Sequence, residues 1–284
     1  MKKIIHCFLA GFRRRFSSKR NRLLALGAVL LVVGLFFILA LVMVTPAELN
    51  LEKLRRSFSE NIICHEACAT EREAVRAALV GEIKSDPKGK GARLLKKYFL
   101  DEDNEINFRL SLVSVISETA GAANPPDYIS ALMAGGGNVL IRSEILAYFD
   151  ATVLGAVDNP FDYYYGILID DDDLLVKLAA IKAISALSEE KYFFNEDQLS
   201  IIKKLIFNSG TEKRLRQPLI LLLSDYYSLF PEEVNNILAA FYSADASGDS
   251  ISRAFAADIL NRLGGENLAI PEVDPAEWEA YYNE

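Results

Sequence analysis

Asp173-Leu-Leu-Val-Lys177-Leu-Ala-Ala180-Ile-Lys-Ala183-Ile-Ser-Ala-Leu187 is the stretch on which the fold turns. Its apolar residues Leu174, Leu175, Leu178, Ile181, Ile184 and Leu187 recur at helical spacing and gather on one side of a 3.6-residue turn. An acid opens the stretch, where the helix dipole favours it, and a lysine follows one turn on. The same frame returns along the chain. Arg76, Arg109, Arg142, Lys177, Arg216 and Arg253 stand 33 to 39 residues apart, and Glu105, Asn138, Asp173, Glu212 and Asp249 precede the last five by four residues. A period of that length marks helical hairpins that bury their apolar faces only against neighbours, so the pattern predicts an all-α chain built as an α-solenoid.

Six helix pairs can be placed. First helices are expected near 47–63, 91–100, 127–134, 161–169, 197–207 and 231–243, and second helices near 71–84, 105–120, 138–154, 173–188, 212–228 and 249–263. The breaks carry turn chemistry: Asp86-Pro87-Lys88-Gly89, Asn124-Pro125-Pro126-Asp127, Gly135-Gly136-Gly137, Asp158-Asn159-Pro160, Asn208-Ser209-Gly210 and Gly264-Gly265. Thr45-Pro46-Ala47-Glu48 reads as a capping box that opens the first helix. Pro218 falls inside a second helix and is expected to kink it. The tail, 265–284, carries the only tryptophan, Trp278, with Tyr281 and Tyr282, and reads as a strap capping the last hairpin.

Asp173 to Leu187 resembles the second helix of a HEAT repeat, which favours an acid, then Val and a basic residue, then alternating small and large apolar positions. Asp249 to Leu263 is similar, with Arg253, Ala256, Ala257, Ile259 and Leu260 in the same frame. The resemblance spans roughly residues 47–264 and implies an α-solenoid whose relatives bind proteins or act as scaffolds. It also implies that the repeated acids and bases form a ladder between units. Tetratricopeptide repeats have a similar period, but their Trp, Leu-Gly and Tyr set is missing here.

Ahead of the repeats, Leu23 to Val44 runs 22 residues without a charge. As a helix it would be ~33 Å long, enough to cross a bilayer core of ~30 Å. Residues 1–22 carry eight basic residues and no acid, which places the N-terminus in the cytoplasm. The expected order is therefore a basic cytoplasmic tail (1–22), one transmembrane helix (23–44), a repeat domain (45–264) and a capping tail (265–284). Residues 45–284 carry 23 basic against 39 acidic residues, a balance of −16. That balance excludes the basic footprint that nucleic acid or anionic lipid requires. Together with the lack of any Asn-x-Ser/Thr sequon, it fits a periplasmic or extracellular domain of a bacterial envelope protein.

The chemistry-bearing residues are few. Cys64 and Cys68, in Cys-His-Glu-Ala-Cys, form an exported pair that can oxidise to a disulfide or pack as thiols. With His65 they fall short of a zinc set, since the other histidine, His6, lies across the membrane. Asp170 to Asp173 lacks the glycine and spacing of a calcium loop and reads as a helix start rich in acids. Lys88-Gly89-Lys90-Gly91 lacks the frame of a phosphate loop, and no Gly-x-Ser-x-Gly occurs. Neither a catalytic residue nor a cofactor or metal site is expected. Tyr163, Tyr164 and Tyr165 are the candidate partner-binding residues, although three tyrosines in a row on a helix must point three ways. The recurring charges, Arg76 through Arg253, read chiefly as joints between units, helped by caps and by pairs one turn apart.

The sequence thus points to a membrane-anchored scaffold or adaptor that binds a protein. Two other readings stay open: a non-catalytic or regulatory subunit of an envelope enzyme or transport complex, and a self-associating structural protein.

Overall fold

A computed structural model describes residues 45–59, 66–135, 137–155, 158–188, 194–244, 249–264 and 268–283. The charge-free span Leu23–Val44, Cys64, His65 and the side chain of Cys68 lie outside the described residues. Among the described residues every regular element is a helix, and none is long and apolar enough to cross a membrane.

The chain divides into two compact units, one ending at Leu100 and one beginning at Asp101. In the first, α1 (Pro46–Ser59), α2 (Glu66–Ser85) and α3 (Lys90–Leu100) pack on one another. Ala47, Leu51 and Leu54 of α1, Leu79 and Ile83 of α2, and Leu95 and Phe99 of α3 form its core. Gly91 lets α3 approach α1 closely, since a Cβ there would stand 2.9 Å from that of Ala47. The Thr45 hydroxyl caps α1 by accepting from the Glu48 N–H at 3.3 Å. The Glu48 carboxylate reaches Lys90 Nζ at 2.6 Å, an ion pair between helices rather than the return half of a capping box. Arg72 stands where later units carry an acid, and stacks its guanidinium 4.1 Å from the centre of the Phe58 ring.

The second unit holds α4 (Ile106–Ala120), α5 (Asp127–Ala134), α6 (Val139–Tyr148), α7 (Ala151–Leu154), α8 (Pro160–Asp170), α9 (Leu174–Ser188), α10 (Glu196–Phe207), α11 (Lys213–Asp225), α12 (Pro231–Ser243), α13 (Ser250–Arg262) and α14 (Pro275–Asn283). The second helix of each pair packs on the next: α4 on α6, α6 on α9, α9 on α11 and α11 on α13. Their partners α5, α8, α10 and α12 contact α6, α9, α11 and α13 in turn. One continuous core runs from Leu146 to Leu260, with Leu168, Ile184, Ile202, Leu219, Tyr226 and Phe241 at its centre.

Local chemistry sets the boundaries. Glu105, Asn138 and Asp249 cap second helices by accepting N–H bonds from the first turn. Asn159 does so for α8, and Asn195 with Gln198 forms a full capping box on α10. Pro160 and Pro231 occupy the first helical position, where a missing N–H is harmless. The expected single helix 138–154 is instead two. The Phe149 backbone turns extended, and the Asp150 N–H leaves the helix to meet the Ala122 carbonyl at 3.0 Å. The Asp150 carboxylate then starts α7 by accepting from Thr152 N at 2.8 Å. The α11 helix runs through Pro218 and ends at Asp225 rather than at 228, with Tyr226 at its C-cap buried in the core. The tail is helical at α14, which packs on α13 and is held by polar contacts. Arg214 Nε donates to the Tyr281 carbonyl at 3.2 Å, and the Ser250 hydroxyl donates to Glu277.

Candidate binding surface

Two of the repeated charges, Arg142 and Arg216, bridge successive helix pairs in the second unit. Arg142 on α6 forks onto Asp171, with both nitrogen–oxygen distances at 2.8–2.9 Å, and its Nη2 also reaches Asp173 at 2.8 Å. These acids form the short turn between α8 and α9, so the contact ties one helix pair to the next. On α11, Arg216 reaches Asp249 Oδ2 at 2.9 Å and donates to the Asn208 carbonyl at 2.7 Å. Asp249 is buried, and its other oxygen caps α13 through Ser252 N at 3.0 Å. Two charges withdrawn from water are tolerable because each finds the other and one further hydrogen-bond partner.

The other positions of the frame behave differently. Arg76 folds back on Glu73 of its own helix, and that hydrogen bond holds the Glu73 carboxyl below its usual range. Arg109 is buried in α4, Lys177 is half-buried on α9, and Arg253 donates to the Tyr242 carbonyl at 3.1 Å. Glu212 precedes α11 without a side-chain capping bond, whereas Asn138 accepts from Leu140 N and Ile141 N.

The three tyrosines are packed to differing degrees. Tyr164 belongs to the core, and Tyr163 and Tyr165 are half-buried against it. Tyr163 lies edge-on to Tyr164, with ring centres 5.8 Å apart, and covers Gly155; Tyr165 packs against Phe161 and Phe194. Burial pushes the Tyr163 hydroxyl up to about 12 and raises that of Tyr226 further, so these phenols stay neutral and act as packing groups. Spacing carries this signal: Phe161, Tyr164 and Leu168 repeat at three and four.

The outward face of α9 carries the most distinctive surface. A groove of about 380 Å³ runs between α9 and α11, lined by Leu178, Ile181 and Ser185 on one side and Pro218, Leu221 and Leu222 on the other. A second, of about 370 Å³, lies between α6 and α9, lined by Leu146, Tyr148 and Phe149 on α6 and its end, and by Ala179, Ala183 and Ala186 on α9, with Tyr164 also lining it. Lys182 borders both and is the one charged residue in either lining. At 100° per residue, Leu178 and Ser185 fall on one flank of Lys182, and Ala179 and Ala186 on the other. Leu175 and Leu221 remain nearly half exposed on this face, at 46% and 49%. Pro218 has no N–H to return to the Arg214 carbonyl, and it forms part of the wall of the first groove. Ser185 adds a hydroxyl to the first lining, and Tyr148 and Tyr164 are the aromatic residues with a polar tip in the second. Among the described residues no group of three or more His, Cys, Asp or Glu is placed to hold a metal ion.

The described residues define an all-helical protein with an apolar, twice-grooved face. No protein-family model, curated protein or solved structure matches the chain.

Proposed function

We propose that this protein is a membrane-anchored scaffold or adaptor, an α-solenoid of HEAT-like hairpins that displays a protein-binding face outside the cytoplasm. The observation that carries the reading is the row of packed second helices whose outward side holds two apolar grooves around one lysine. Buried ion pairs between successive helix pairs stiffen that row, and a stiff surface loses little freedom on binding. The charge-free span 23–44, with its basic N-terminal flank, supports an anchor that leaves residues 45–284 outside. Tethering near a membrane raises the local concentration of whatever is bound.

Two measurements test this. Protease added outside intact cells or spheroplasts digests residues 45–284 if the topology holds, and protection of that region overturns it. Photo-cross-linkers at exposed positions of the full chain, activated in native membranes, capture a discrete protein; a chain that captures none at any position is not a scaffold.

A further inference from the structure

We propose that the α9 face receives a single amphipathic helix of a partner protein, lying across α9. Apolar side chains seven residues apart enter the two grooves, and an acidic residue midway between them meets Lys182. The proposal rests on the reading of the chain as a protein-binding scaffold and names the chemistry of the partner at that same surface.

Dimensions support one helix spanning both grooves. Packed helices lie ~8–10 Å apart, so two grooves flanking one helix are separated by about that distance. Residues seven apart on an α-helix are two turns, or about 10.5 Å, along one face. One partner helix therefore reaches both grooves without distortion, and positions three or four residues from each anchor fall over the α9 ridge. The grooves differ in character. Ala179, Ala183 and Ala186 give the α6 side a smooth α9 wall, whereas Leu221 and Pro218 give the α11 side a bulkier rim.

Charge selects the residue between the anchors. Residues 45–284 carry a balance of −16, yet the only charge lining either groove is the exposed Lys182. Lys182 forms no ion pair among the described residues. Asp225, at the end of α11, accepts from the Ser185 hydroxyl of the α9–α11 groove. A carboxylate on the visiting helix supplies the missing partner, while a lysine there would face Lys182 directly. A helix with apolar anchors suits the half-buried walls, as in other helix-in-groove complexes.

The test uses the full chain in detergent and stapled helical peptides with Leu at two positions seven apart and Glu midway, against the same peptide with Lys in place of Glu. Fluorescence anisotropy is expected to show the Glu peptide binding about tenfold tighter than the Lys peptide, with Lys182→Glu reversing the order. Leu221→Asp, at an exposed position, abolishes both while the circular dichroism of the chain stays unchanged. Equal binding of the two peptides, or a preference that Lys182→Glu leaves intact, overturns the proposal. In native membranes, a cross-linker at Ala186 should capture a protein, and Lys182→Glu should weaken that capture. Cross-links elsewhere on the chain but none at Ala186 sink the proposal and leave the scaffold reading standing; capture of a second copy of this chain, or of lipid alone, at Ala186 also overturns it.

Discussion

Arg216 on α11 meets Asp249 ahead of α13 at 2.9 Å, with their side chains only 2% and 0% exposed. Asp249 does two tasks there, neutralising the guanidinium and capping α13 through Ser252 N. Asp249→Ala removes both and leaves a cation buried, so it should lower stability by about 3–5 kcal/mol. Adding Arg216→Leu relieves the unpaired charge and should recover a substantial part of that loss. Denaturant unfolding of the two variants and the parent checks this; a double variant no more stable than Asp249→Ala alone shows that the cap, not the pair, dominates.

The Arg142 joint predicts an unequal pair of acids. Asp171 takes both prongs of the guanidinium and is 12% exposed, whereas Asp173 takes one bond and is 44% exposed. Asp171 also accepts from Asp173 N at 2.9 Å. Asp171→Ala should therefore destabilise by about 2–4 kcal/mol, because it strips a buried bidentate partner. Asp173→Ala should stay below about 1 kcal/mol, as exposed pairs do. Equal losses in unfolding experiments would contradict the geometry.

That inequality marks what the residue pattern conveys and what it hides. The recurring frame singles out Asp173, because it sits four before Lys177, yet the stronger partner of Arg142 is Asp171 in the preceding turn. Helix positions were legible because Asn195-Glu-Asp-Gln198 and Asn159-Pro160 declare their caps locally. The division of 138–154 was not legible, since apolar residues continue through Phe149 and the stop is a distant carbonyl, that of Ala122. The grooved face was hidden for a similar reason. Ala179, Ala183 and Ala186 read as ordinary helix formers until α6 lies beside them, and Lys182 gains meaning only between two neighbours.

Gly155 is constrained by shape rather than by backbone. Its φ of −95° suits any residue, but a Cβ there would stand 2.1 Å from the Tyr163 ring. Gly155→Ala should push the ring from its seat over Tyr164 and destabilise by about 1–3 kcal/mol, as overpacking does. Tyr163→Leu in the same chain removes the clash, so the second substitution should lessen the damage of the first. A double-mutant cycle by thermal unfolding measures that coupling, and strictly additive losses would refute the contact.

The packed phenols make the fold sensitive to alkali. Burial pushes Tyr128 and Tyr163 up to about 12 from 10.0 and raises Tyr226 as well. A raised phenol binds its proton more tightly in the folded chain, so its contribution is complete below the unfolded value near 10.0. Between there and the folded value the unfolded chain loses the proton first, and stability falls as pH rises. Unfolding midpoints should hold steady up to pH 9 and drop steeply above about pH 10. Phenolate absorbance should show a late-titrating fraction that merges with the rest on unfolding. Tyr163→Phe leaves one fewer phenol to ionise, so its stability should decline less steeply across that window; an unchanged slope would mean that Tyr163 is not held as the packing describes.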